Sequence, residues 1–141
     1  MPSRVVLDTN VIVAGLQSRL GASFQVLSLV GTGAFELCLS VPLVLEYEDA
    51  LKRRAHEAGL AVADIDAVLD YLCAVASKRS IFFLWRPYLK DPGDDMVLEV
   101  AVEAECQFIV TFNLRDFVGI ERFGLKALTP RQFLHQLGRI P

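Results

Sequence analysis

Four short runs, "RVVLD" (4–8), "FELCLS" (35–40), "IFFLW" (81–85) and "FIVTF" (108–112), constrain the fold more than any other feature of this chain. Three are nearly continuous in apolar residues, the pattern of strands buried on both faces, while 35–40 alternates as a strand does. A weaker fifth run, "LKAL" (125–128), closes the series. Between them lie helical stretches. "VIVAGLQS" (11–18) and "ASFQVLSLVGTG" (22–33) follow the first run, with Gly31 and Gly33 ending the second of these. "PLVLEYEDALKRRAHEAG" starts at Pro42 and meets a stop signal at Gly59. "DIDAVLDYLCAVAS" (64–77) carries Ile65, Val68, Leu69 and Leu72 at helical spacing. "MVLEVAVEAE" follows the Pro/Gly loop 86–95, and "TPRQFLHQL" (129–137) closes the chain, with Thr129 as cap and Pro130 at the first helical position.

Strands alternating with helices predict a three-layer α/β/α sandwich around a central, mostly parallel sheet of about five strands. The 141 residues, free of linker or repeat, are expected to form a single domain, 1–141. Hydrophobic residues make up 53% of the chain, which suits a sheet covered on both sides. No apolar segment reaches the roughly 20 residues that span a bilayer. Asp8 and Asn10 interrupt any signal-peptide core, so a cytoplasmic protein without membrane attachment is expected. Cys38, Cys73 and Cys106 lie in apolar surroundings and read as free thiols in a reducing compartment.

In an open parallel sheet, ligands bind beyond the carboxyl ends of the strands. There the sequence places its acids. Asp8 ends the first strand, Glu46 lies in the helix after the second, Asp94 and Asp95 follow the third, and Asp116 follows the fourth. Each comes from a different connection, so all are candidates for one pocket. Carboxylates crowded together raise one another's pKa unless a cation intervenes, and an oxygen-only set favours Mg²⁺ or Mn²⁺ over zinc. An ion so held polarises a phosphate and activates water for phosphodiester hydrolysis. Taken singly, every acid except Asp8 has an equally simple role as a helix cap or a first-turn charge.

The same residues carry a resemblance. "VVLDTNVIVAGL", "PLVLEYEDAL", "DPGDDMVLEVAVEAECQFIVTFNLRDF" and "LTPRQFL", in this order, resemble a PIN domain of the branch that contains the toxins of toxin–antitoxin systems. The resemblance implies an α/β sandwich with an acidic Mg²⁺- or Mn²⁺-dependent ribonuclease site, an RNA substrate, a small antitoxin partner and self-association as a dimer or higher oligomer. Asp8 and Glu46 match the first and second acids of the family. Asp95 matches the third by its spacing to "LEVA", while Asp94 is the match where the family's acid is followed by Asn. Thr9, Asn10 and Thr111 match the supporting polar residues. Where many members have a fourth acid, this chain has Asn113, and Asp116 three residues on is the candidate replacement. That departure favours one metal over two, and leaves a decayed RNA- or partner-binding module as the alternative to an enzyme.

The remaining features read more plainly. "KRR" (52–54) with His56 is a candidate RNA-backbone contact, and reads more simply as helix-end charge on a solvated face. Arg115 lies beside the proposed pocket and is a candidate RNA contact; Arg79, Arg86, Lys90 and Arg131 are candidates for a wider patch. His56 and His135 lack partners at metal-ligand spacing. An aspartyl-phosphate phosphatase needs an acid two residues after Asp8, where Asn10 stands. The apolar helices at 11–30 and 64–77 are expected to cover the sheet or a homodimer face.

Overall fold

The computed structural model describes residues 2–78, 89 and 92–140. Its elements run β1 (Arg4–Leu7), α1 (Thr9–Gln17), α2 (Ala22–Ser28), β2 (Glu36–Leu39), α3 (Val41–Ala58), α4 (Val62–Val75), β3 (Ser77–Lys78), α5 (Pro92–Glu103), β4 (Phe108–Val110), β5 (Lys126–Leu128) and α6 (Pro130–Gln136). Two short 3-10 helices, Leu114–Phe117 and Ile120–Phe123, join β4 to β5. Among the described residues the sheet has five strands in the order β3-β2-β1-β4-β5, and each described pairing is parallel.

Both faces of this sheet are covered. Successive strand residues point to opposite faces, yet Val5, Val6 and Leu7 are all fully buried, as are Ile109 and Val110. Only helices on both sides produce that, so the expected α/β/α layering holds. Ladder register then carries the site. β1 pairs Val5 with Leu37 on one side and Phe108 on the other, and ends with Leu7 opposite Val110. The next residues along, Asp8 and Thr111, are therefore neighbours at the carboxyl edge.

Helix ends follow the expected chemistry. Ser40 caps α3 by accepting from the Leu43 N–H at 3.3 Å. Gly59 ends the helix in the left-handed region at φ 69°, with Leu60 N–H donating to Ala55 and Gly59 N–H to His56. This crossed pair satisfies carbonyls that a helix end leaves open. Thr129 and Gln132 form a reciprocal capping box at the start of α6.

Several boundaries differ from those the sequence suggests: α2 ends at Ser28, short of Gly31 and Gly33, and Ser77, expected in a helix, opens β3. α1 begins at Thr9 because Asp8 is its cap, and α4 starts at Val62, two residues before the predicted Asp64. α5 begins at Pro92 instead of Met96, which draws Asp94 and Asp95 into its first turn. There the helix dipole favours both negative charges. The strand expected over 81–85 and the residues Arg79, Arg86 and Lys90 lie outside the described residues; β3 pairs Cys38 with Ser77 and Leu39 with Lys78. Cys38 and Cys106 are buried and Cys73 is half-buried, and none of the three is in a disulfide among the described residues. Among the described residues no helix is long and apolar enough to cross a membrane.

One turn needs its glycine twice over. Gly31 has φ +82°, and a Cβ there would stand 2.4 Å from the Tyr71 hydroxyl, which donates to the Val30 carbonyl at 2.9 Å and so ties α4 to the end of α2. Gly31→Ala should therefore cost about 2 kcal/mol, combining left-handed strain with displacement of Tyr71. Urea unfolding checks this, and an unchanged midpoint would contradict it.

Candidate functional site

The site is built outward from Asp8. Its backbone N–H continues the ladder to the Val110 carbonyl at 2.8 Å. One carboxylate oxygen accepts from Thr9 N–H at 2.8 Å, and the other accepts the Thr111 hydroxyl at 2.7 Å. Thr111 Oγ1 in turn accepts from Asn113 N–H at 3.0 Å. With a lone pair committed to that amide, the hydroxyl proton is left to point at Asp8. Asp8 is 6% exposed and Thr111 fully buried, so this bond sits in a medium where it is electrostatically strong.

Neighbouring backbone is held in the same way. Asn10, in the first turn of α1, accepts from Phe112 N–H at 3.4 Å. Asp116 N–H donates to the Asn113 carbonyl at 3.0 Å, which folds the first 3-10 turn back over the strand end. Tyr47 anchors α3: its hydroxyl donates to the carbonyl of Leu7, the residue before Asp8. Glu46, one residue earlier and about 100° around the helix, faces the cleft instead. Burial, with the Asp8 charge adding to it, pushes the Tyr47 phenol well above its usual pKa.

The cleft has a volume of about 490 Å³. Asp8, Thr9, Asn10, Val13, Ala14 and Gln17 line it from the β1–α1 end; Glu46, Ala50, Arg53 and Arg54 from α3; Gly93 and Asp94 from α5; Asn113 and Asp116 from the turn after β4. Four carboxylates from four connections thus face one space. Asp95 is placed elsewhere: 1% exposed, it accepts from Leu89 N–H at 2.9 Å and braces the entry to α5. Thr111 supports Asp8 from beneath the cleft, and Arg115 is exposed on the 3-10 helix, outside the cleft wall.

Arg53 and Arg54 belong to "KRR", which the sequence places on a solvated face, with an RNA-backbone contact as the alternative. Lys52 fits the solvated face, because its ammonium lies 3.2 Å from Glu48 and 3.3 Å from Asp66 of α4. These contacts raise its pKa, the Glu48 hydrogen bond most. The next two residues are exposed as well, and they border the cleft. Their spacing from Glu46, seven and eight residues, is the signal that places all three on adjacent helical rows.

The donor chemistry suits a hard cation. Every cleft carboxylate is an oxygen donor, and Mg²⁺ keeps several waters while taking one or two carboxylates directly. Among the described residues no three His, Cys, Asp or Glu side chains stand close enough together to enclose an ion.

A parallel sheet with an acidic cleft at the carboxyl ends of its strands defines an α/β protein with its polar residues gathered at one sheet edge. A PIN domain family model matches residues 4–115, and the chain belongs to that family. PIN domains are generally nucleases that use divalent metal ions. In fold the chain is similar to VapBC2 from Rickettsia felis, whose crystal structure was solved bound to a DNA fragment from their promoter. The two share a TM-score of 0.61 and 13% identity over 88% of this chain and 98% of that one. A comparison with curated proteins found no match.

Tyr47→Phe should destabilise the fold by about 1–3 kcal/mol, since it leaves the buried Leu7 carbonyl without its donor. The raised phenol pKa adds a pH signature. The native state keeps the proton after the unfolded chain loses it near pH ~10, so stability is intact below that pH. Above it, stability falls by up to about 1.4 kcal/mol per pH unit. Unfolding measured from neutral to alkaline pH should show this component in the natural chain and not in the variant.

Proposed function

We propose that this protein is a Mg²⁺- or Mn²⁺-dependent endoribonuclease, the toxin member of a toxin–antitoxin pair working in the cytoplasm. The observation that carries the reading is the convergence of Asp8, Glu46, Asp94 and Asp116 on one cleft in a PIN domain. Fold likeness to VapBC2, solved with promoter DNA, supports the search for a small partner protein.

In this reading Asp8 and Asp94 would hold the ion, and Asp116 would contribute directly or through water. When bound, the ion supplies Lewis-acid polarisation of the phosphate and a water of lowered pKa. Thr111 keeps one Asp8 oxygen directed and Thr9 N–H holds the other, so the carboxylate is oriented before substrate arrives. Glu46, fixed in position by Tyr47, orients the attacking water and takes its proton. No side-chain nucleophile is needed, since water attacks phosphorus. Asn113 offers a carbonyl oxygen and no charge, which favours a single ion. A homodimer is supported by the apolar groove between α2 and α4, lined by Phe24, Leu27, Val68 and Leu72.

Asn113 also favours a second reading, a binding module that no longer cleaves. The two separate cleanly. The natural chain should cleave RNA in Mg²⁺ or Mn²⁺ and stop in EDTA, and Asp8→Asn and Asp94→Asn should lose cleavage. Metal-independent cleavage by Asp8→Asn would falsify the proposal. Calorimetry with Mn²⁺ should give heat that depends on Asp8; its absence, together with no cleavage, selects the binding module.

Thr111→Val should lower metal affinity or turnover by about 10–100-fold, the usual effect of removing a group that orients a ligand. Asp95→Asn should keep cleavage and lose thermal stability, because its carboxylate braces Leu89 instead of facing the cleft.

A further inference from the structure

A cleft walled by four carboxylates repels the polyanion that the proposed ribonuclease reading requires it to bind, and the chain as a whole has a net charge of −3. Besides the ion that the carboxylates would hold, the cleft carries side-chain cations of its own. Two stand on α3, Arg53 and Arg54. Arg53 is matched within its helix, its Nε lying 3.0 Å from Asp49 Oδ2. Arg54 is exposed, and no described carboxylate lies within ion-pair distance of it.

Position decides what Arg54 can meet. It lies eight residues beyond Glu46 on the same helix, about 12 Å along the axis. That is two turns away from Glu46 and within the same cleft. We propose that Arg54 is a substrate-binding residue that grips a phosphate of the RNA strand next to the one at the carboxylates; this rests on the ribonuclease reading. Its planar fork fits two non-bridging oxygens at once, which a lysine does not. It fixes the strand's path along α3 and reads no base.

The test measures binding of a short single-stranded RNA to the Asp8→Asn protein in Mg²⁺ across a range of salt, with and without Arg54→Ala. Arg54 sits on an exposed helix face, where alanine preserves the helix. Arg54→Ala should weaken binding and reduce the slope of log affinity against log salt by about 0.7, the share of one single-strand phosphate contact. Arg54→Lys should retain the slope at lower affinity, and Arg53→Ala should change it less. With Asp8 restored, Arg54→Ala should raise KM and leave kcat near its original value. Unchanged affinity and slope overturn the assignment, as does an effect confined to thermal stability, which would mark Arg54 as helix-end charge. The two readings fail separately. Arg54-dependent binding without any cleavage overturns only the ribonuclease, and cleavage with an unchanged slope overturns only Arg54.

Discussion

The hydrogen bond from Thr111 to Asp8, 2.7 Å long and buried, joins the ends of β1 and β4 and gives the cleft its fixed point. It exists because parallel register sets Leu7 opposite Val110, leaving Asp8 and Thr111 as the next pair out. A slip of one residue would send Asp8 to the other face. That face is covered as tightly as its opposite, since Val5, Val6 and Leu7 are all fully buried. The slipped chain would drive a carboxylate into apolar packing without a partner, at a cost of several kcal/mol. The apolar run ahead of Asp8 thus protects the register that positions it.

Helix α3 adds the second constraint. Its Tyr47 is bonded to the Leu7 carbonyl, so the helix is pinned to the strand end one residue away from Asp8. Glu46 takes its position from that pin. Farther along, Lys52 links α3 to α4 through exposed ion pairs with Glu48 and Asp66. Such pairs are individually weak and screened by salt. One end of α3 is therefore held by buried chemistry and the other by surface charge.

Much of this was legible in the residues. Apolar runs ended by polar groups mark the strands, because a strand buried on both faces has no room for alternation. Asp8 was legible for the same reason: an acid terminating such a run sits at the sheet edge. The choice between Asp94 and Asp95 was not. It depends on the rotational phase of α5, and that helix starts four residues earlier than hydrophobic spacing alone indicated. Side chains of adjacent helical residues point about 100° apart, so one aspartate lines the cleft while the other braces Leu89. All three members of "KRR" are exposed, as their composition indicates, but only packing shows that Arg53 and Arg54 border the cleft while Lys52 pairs with Asp66.

Glu46, Ala50 and Arg54 follow one another at four-residue intervals along α3, and all three face the cleft. The helix between them works as a ruler as well as a wall. Substitution at an exposed position such as Asp49 leaves the marks where they are. Insertion or deletion of a single residue anywhere between Glu46 and Arg54 would turn the arginine about 100° away from the glutamate and shift it about 1.5 Å along the axis. Change in this stretch is thus open to replacement of side chains and closed to change of length, the reverse of what a surface loop permits.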